Sequence, residues 1–205
     1  MEKKPVIIIG VNALGKAAKE VFEENGVEVY GFLSDKDIKG EIDEVPILGT
    51  LEDDSYTSII GDTCNAFLAI DEVEYRKQLL EDYDITATNA IHPQAKLSKT
   101  ASFSYGNFIG MGVILNTLVQ VGSHNIIHSG VLLDTETKIG DHVQIGAGST
   151  ICANVTIGSG VFIGAGVTIV SGVKIGDNAR IGAGSVVIGE VKSDKMVFGN
   201  PAKEI

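Results

Sequence analysis

The stretch Ile139-Gly140-Asp141-His142-Val143-Gln144-Ile145-Gly146-Ala147-Gly148-Ser149-Thr150-Ile151 carries an isoleucine at every sixth position. Counted outward, the same register begins units at Ile91, Leu97, Phe103, Ile109, Leu115, Val121, Ile127 and Leu133. It continues through Ile157, Ile163, Ile169, Ile175, Ile181 and Val187 without a gap. An α-helix needs a spacing near 3.6 and a single strand a period of 2, so neither accommodates this pattern. A six-residue period is the mark of a parallel β-helix, each unit making one flat face and a turn. The first residue of each unit is expected to point into the coil. The second is often glycine (Gly110, Gly122, Gly140, Gly146, Gly158, Gly164, Gly176, Gly182), read as letting the backbone bend without a Cβ clash. The fifth is often small or β-branched.

The rest of the 205 residues must hold whatever precedes and closes the coil. A net charge of −11 argues against nucleic acid, whose binders need a basic face. It leaves room for an anionic nucleotide held by a local pocket of backbone N–H groups. The two cysteines, Cys64 and Cys152, read as small buried hydrophobes in a reducing compartment. No His/Cys/Asp cluster has metal-ligand spacing, so no metal is expected. The apolar run Val6 to Ile9 is too short for a secretory core, and no stretch approaches membrane-spanning length. A cytoplasmic protein is the expectation.

Before the repeat, strands and helices alternate. Pro5 to Gly10 reads as a buried strand, and Leu14 to Glu24 as a helix with Leu14, Ala17, Ala18, Val21 and Phe22 inward, closed by Asn25-Gly26. Glu28 to Leu33 is the next strand, followed by the polar stretch Ser34-Asp35-Lys36-Asp37. Val45 to Gly49 and Ala66 to Ile70 continue the pattern. Glu72 to Asp82 reads as a helix with Val73, Leu79 and Leu80 inward, and Ile85 to Ala90 as a last strand. The expectation is a small Rossmann-like α/β domain with a parallel sheet over residues 1–90, then an all-β helix over 91–205. Val191 to Lys203 falls outside the period and reads as a cap on the open end of the coil.

In a doubly wound sheet the ligand crevice lies beyond the carboxyl ends of the strands. That singles out Gly10-Val11-Asn12-Ala13-Leu14-Gly15, Ser34-Asp35 and Asp71. The glycines of the first stretch are five apart and the middle one of a dinucleotide fingerprint is absent. Two readings stand: a strand-to-helix turn that needs one glycine, or a phosphate or sugar-nucleotide site at a helix N-terminus, with Asp35 accepting from ligand hydroxyls.

The ending Gly199-Asn200-Pro201-Ala202-Lys203 behind hexapeptide coils resembles the left-handed β-helix acyltransferases. With the α/β domain in front, the whole chain is similar to the sialic-acid O-acetyltransferase and bacillosamine N-acetyltransferase family. The resemblance implies a left-handed coil, a homotrimer, a sugar or sugar nucleotide on the α/β domain, and acetyl-CoA in the groove between neighbouring coils. It implies acetyl transfer to an amino or hydroxyl group in cell-surface glycan synthesis. By the same resemblance the sugar-nucleotide contacts fall at Asn12, Ala13, Leu14, Ser34, Asp35 and Asp71, and the acetyl-CoA contacts at Gln144, Ala165 and Ala183.

The family's catalytic segment, roughly Asn-Thr-Gly-Ala-Val-Val-Asp-His-Asp, aligns with His128-Ser129-Gly130-Val131-Leu132-Leu133-Asp134-Thr135-Glu136. Its histidine takes the acceptor's proton and the following acid raises its basicity. Here Thr135 stands at the base position, with Glu136 retained as the acid. A threonine hydroxyl is no base near neutral pH. The family's histidine in the first glycine-rich turn is Leu14 here, and Asp71 stands where the family often has glycine.

Of the four histidines, His124 and His142 are 18 residues apart, so they should stack at one corner of successive coils, as exposed side chains. His128 is in register with Gly110, Gly146 and Gly164 and is the candidate to stand in for the missing base. His92 precedes Pro93 and reads as a domain-junction residue. Val131, Phe162 and Val186 are the apolar residues expected to give the trimer surface to bury. Two alternatives accompany the acetyltransferase reading: a weakened paralogue that binds acetyl-CoA or sugar nucleotide without efficient turnover, and a purely structural trimeric β-helix. Thr135 favours the first; the complete α/β domain and Glu136 disfavour the second.

Overall fold

The computed structural model describes residues 3–36, 38–83 and 85–205. Asp37, the end of the polar stretch noted above, lies outside them. The chain divides into two units, Met1–Pro93 and Gln94–Ile205.

In the first unit, β1 (Val6–Ile9), β2 (Val29–Ser34), β4 (Val45–Thr50) and β5 (Asn65–Leu68) form a parallel sheet, with β3 (Glu41–Ile42) antiparallel at one edge. The order β3-β4-β2-β1-β5 reverses direction at β1, which makes the crevice beyond β1 and β5 the switch point. The all-parallel expectation is corrected by β3. Asp43 and Glu44, with φ of 45° and 68°, turn the chain tightly back from β3 into β4. β1 is buried along its whole length because helices cover both sides of the sheet. On one side α1 (Ala13–Glu24) packs Ala18, Val21 and Phe22 inward, with Phe22 edge-on to Phe67 at 5.8 Å. On the other, beyond the short α2 (Asp54–Thr57), Ile7, Ile9, Leu33, Ala66, Leu68 and Leu79 of α3 (Val73–Tyr83) form a continuous apolar cluster. Leu79 of α3 is buried, whereas Val73 and Leu80 are only half so; Arg76 takes the inner position between them. The last expected strand, Ile85 to Ala90, is not continuous. Ala87 alone bridges to Ala66, with Thr88 N–H on the Ala66 carbonyl, and pairing resumes only at Ala90–Ile91. The polar residues Thr86, Thr88 and Asn89 cannot all be buried against the sheet, so the run leaves it after one rung.

The second unit is the β-helix. Two-residue strands occupy the sixth and first positions of the repeat, and each pairs in parallel with the strand one coil on: Gln144↔Phe162, Thr150↔Thr168, Thr156↔Lys174. Three faces result. Face A runs from Phe108–Ile109 to Arg180–Ile181, face B from Lys96–Leu97 to Val186–Val187, and face C from Ser102–Phe103 to Lys174–Ile175. First-position residues are buried from Ile109 to Val187, while Leu97 and Phe103 in the opening coil are partly exposed. Fifth positions also point inward, which corrects the expectation for Val131: it is 0% exposed and offers no outer surface. Asn107 and Asn125 take two of these inner sites, where the Asn107 Oδ1 accepts from Asn125 N–H at 2.9 Å and the Asn125 Oδ1 from Val143 N–H at 2.6 Å. A buried polar side chain is tolerated there because it hydrogen-bonds the coil's own backbone.

The bend is made at the fourth position, not the second. Leu118, His124, Glu136, His142, Asn154 and Asn178 have φ between 56° and 60°, in the same left-handed conformation as Gly148 and Gly166. The second-position glycines serve closeness between coils: a Cβ on Gly146 would lie 2.4 Å from Ala165 N. Beyond the repeat, Met196–Gly199 joins face A in parallel with Arg180–Ile181 and folds back antiparallel as Ala202–Glu204, closing the end.

Candidate functional site

At the switch point of the first unit, Gly10 has φ of +124°, and a Cβ there would meet the Ala69 carbonyl oxygen at 2.3 Å. Glycine lets the turn pass this close to β5. Asn12 caps α1: its Oδ1 accepts from Gly15 N–H at 2.9 Å, and its Nδ2 donates to the Ala69 carbonyl at 2.8 Å and reaches Asp71 Oδ2 at 3.4 Å. The turn after β1 is thereby tied to the turn after β5. Ala13 is exposed, but Leu14 is 4% exposed and belongs to the core. Ser34 is fully buried, its Oγ accepting from Lys36 N–H at 3.1 Å, and Asp35 beyond it is open. Of the residues singled out at this end, Asn12, Ala13, Asp35 and Asp71 therefore have side chains at or near the surface.

Two neighbours from α3 carry no motif in the sequence. Burial pushes the Tyr75 phenol up, and the Asp35 carboxylate adds to the shift. Arg76 is 1% exposed; burial pulls its guanidinium down to about 10 while the Asp71 charge opposes the shift. Its Nη1 donates to the Ile70 carbonyl, and Nε and Nη2 have no partner among the described residues. A cation thus stands behind the Ile70-Asp71 turn, held there by one backbone acceptor. Only the i, i+3 spacing of Arg76 with Val73 and Leu79 hinted that it faces inward.

In the second unit the candidate residues occupy different corners. Thr135 and Glu136 lie at the corner between faces B and C. Glu136 is exposed, with φ of 60° and its N–H on the Thr117 carbonyl. Beside them, the Asp134 Oδ1 accepts from Thr135 N–H at 2.7 Å and from Asn116 Nδ2 at 2.8 Å. These bonds, the backbone one first, hold its carboxyl below the usual carboxylate range, so it is an anion and a weak base at neutral pH.

Gln144 is on face A, and Ala165 and Ala183 are stacked one coil apart at the corner between faces A and B. His128 stands at that same corner, half-buried, its Nε2 at 3.4 Å from Gln144 Nε2 and its ring tilted against Phe108 at 6.5 Å. The fold therefore brings His128, Gln144, Ala165 and Ala183 to one side of the coil and sets Thr135 and Glu136 on another. His124 and His142 occupy the third corner, stacked as expected but not exposed: His124 is 4% exposed and His142 is half-buried. The ring of His124 covers Gly106, where a Cβ would meet its Nδ1 at 2.4 Å, and this shelters it from solvent. His92 is buried and pairs with Glu24 at 3.4 Å. Among the described residues no three His, Cys, Asp or Glu side chains are placed to hold a metal ion, and no helix is long and apolar enough to cross a membrane.

Residues 5–83 match the PglD N-terminal domain family, and residues 136–170 and 154–189 match the bacterial transferase hexapeptide (six repeats). Among solved structures, PerB from Caulobacter crescentus, in complex with CoA and GDP-perosamine, is 27% identical. The match covers 98% of this chain and 97% of that one, with a TM-score of 0.90. The acetyltransferase domain of PglB from Neisseria gonorrhoeae, in complex with acetyl coenzyme A, is 23% identical, with coverage of 99% and 100% and a TM-score of 0.90. WeeI from Acinetobacter baumannii is 21% identical, with coverage of 99% and 100% and a TM-score of 0.86. The last two likenesses bear on the fold. No curated protein matches the sequence.

Proposed function

We propose that the chain, which matches the PglD N-terminal domain family at one end and the bacterial transferase hexapeptide at the other, is an acyltransferase that transfers acetyl from acetyl-CoA to a sugar nucleotide. The observation that carries this reading is the likeness, over nearly the whole of both chains, to PerB with CoA and GDP-perosamine bound. The acceptor sits at the switch point, against Asn12, Ala13, Asp35 and Asp71, with Leu14 and Ser34 shaping the turn from behind. Two carboxylates with one buried cation there favour hydroxyl-rich and amine-bearing groups over a bare phosphate. The donor lies along the corner between faces A and B, near Gln144, Ala165 and Ala183. Second-position glycines and third-position alanines leave backbone within reach of a long, thin ligand there.

The proposed assembly is a homotrimer with the donor groove between neighbours, and the proposed compartment is the cytoplasm. Half-buried Phe162 and Val186, with Ile114 at 39% exposure, give the coil outward apolar surface to cover. Sedimentation at micromolar concentration tests the trimer, and a monomer would end it. Calorimetry with acetyl-CoA tests the donor site, and no binding at millimolar coenzyme removes the main support. A panel of sugar nucleotides, scored by protection against thermal unfolding, identifies the acceptor.

A second reading rests on Thr135. With no imidazole at that corner, the protein binds both ligands and turns over slowly. Wild-type turnover at a rate unaffected by the identity of residue 135 would dismiss it.

A further inference from the structure

We propose that the amino-terminal edge of the parallel sheet holds a second small-molecule site, for a compound that joins one carboxylate or phosphate to an apolar ring or short chain. This site does not depend on the acetyltransferase reading above.

The cavity lies within the first unit, at the end of the sheet opposite the switch point. Its walls come from the residues that enter β1, β2 and β5, from the close of α1 and from the run before the repeat. Its volume is about 410 Å³, within the roughly 300–1,000 Å³ usual for small-molecule sites. Val6, Phe22, Val27 and Ile91 give it an apolar floor. Asn65 and Thr88 add an amide and a hydroxyl able to orient a polar group.

The rim is cationic. Lys3 and Lys4 both line it, and no carboxylate does. In a chain of net charge −11 that reverses the prevailing sign of the surface. Among the described residues, neither ammonium makes an ion pair. Of the acids that flank the lining in sequence, Glu23 is taken up by Lys19 and Glu24 by His92, and Glu28 is exposed.

Each lysine is nonetheless held in place. Lys3 Nζ donates to the Asn25 carbonyl at 2.6 Å, at the end of α1, and Lys4 Nζ to the Gly61 carbonyl at 2.9 Å, on the chain leading into β5. An ammonium has three N–H donors, so each anchored head keeps donors for an anion. Asn25 is fixed in turn, its Nδ2 donating to the Val21 carbonyl at 2.7 Å and to the Ile91 carbonyl at 2.8 Å. The rim is thus built before a ligand arrives, which lowers the cost of binding one. A bare inorganic anion would leave the apolar floor unused, and a neutral ring would leave the ammonium groups unused.

The test is calorimetry on the full chain with phenyl phosphate and with benzoate, beside inorganic phosphate and phenol as head and body alone. Methyl NMR locates the site, with Val27 and Ile91 as reporters and Val11 and Val186 as controls outside the cavity. Expected is saturable binding of at least one of the two acids with a Kd below about 1 mM, at least about tenfold tighter than either fragment. The acid that binds more tightly names the head group as phosphate or carboxylate. Lys3→Gln combined with Lys4→Gln should weaken it at least about tenfold, by removing charge-assisted hydrogen bonds. Both side chains are exposed, so the thermal midpoint should stay where it is. A Kd above about 1 mM for both acids, a double variant that binds as wild type does, or shifts confined to Val11 or Val186 would each overturn the proposal.

Discussion

The ring of His142 lies flat on that of His124, 10° from parallel with centroids 5.3 Å apart, one coil above it. Tyr105 meets His124 edge-on, also at 5.3 Å. Both histidines hold left-handed backbone, at 57° and 56°, at turn positions that glycine fills in other coils. That conformation costs a non-glycine residue about 1–2 kcal/mol, and an aromatic stack returns about 0.5–1.5 kcal/mol. His142→Gly should therefore fall between a loss of about 0.5 kcal/mol and a gain of about 1.5 kcal/mol in stability. His142→Val loses the stack and keeps a β-branched strain, so it should cost at least about 1 kcal/mol more than the glycine variant. Denaturant unfolding of the two variants decides it.

Arg76 has one carbonyl acceptor for a buried guanidinium. Replacing a buried ion by an apolar side chain of similar length is often neutral or stabilising by about 1–4 kcal/mol. Arg76→Met should accordingly unfold no earlier than wild type in denaturant. The same variant frees the Ile70-Asp71 turn, and its affinity for the acceptor sugar nucleotide should fall. Burial pulls the folded guanidinium down to about 10, below its ordinary range, so the unfolded chain holds more protons between that value and the ordinary one. This group's contribution to stability therefore rises with pH in that window, and Arg76→Met should remove the rise from a pH–stability profile.

Asp134 supplies a second pH signal of opposite cause. Its carboxyl is held below the ordinary range by Thr135 N–H and Asn116 Nδ2. The stability it contributes is complete above the ordinary carboxylate value and is lost as pH falls through the depressed one. Asp134→Asn should flatten the acid limb of the unfolding midpoint, and an unchanged acid limb would show that these bonds do not persist in solution.

Gly146→Ala tests the closeness of the coils. The added methyl meets Ala165 N at 2.4 Å, so the coils must part, at a cost of about 1–3 kcal/mol for overpacking. The same change at Gly148, where a Cβ meets nothing within 4 Å but φ is +68°, should cost only the conformational penalty of about 1–2 kcal/mol. Thermal midpoints of the two variants rank the effects.

The six-residue period by itself determined the β-helix, because first-position residues from Ile109 to Val187 have nowhere but the coil interior to go. It also placed His142 above His124, since 18 residues make one circuit. The alternation of apolar runs and amphipathic helices likewise determined the α/β unit. What the period leaves open is which other positions turn inward: Val131 looks like surface until the flat faces show the fifth residue of each unit buried. Backbone conformation was equally hidden. Asp43-Glu44 holds left-handed turn geometry with no glycine to announce it, and Ile85 to Ala90 has strand-like composition but finds one rung. Only the tertiary structure put Arg76 behind Asp71, because helix spacing gives the face a side chain takes and not what waits beneath it. The six-residue register already set His128 one coil edge from Thr135, and the tertiary structure shows what lies between them. Seven residues apart in sequence, they are set on different corners by the three-sided coil, because face B runs between them.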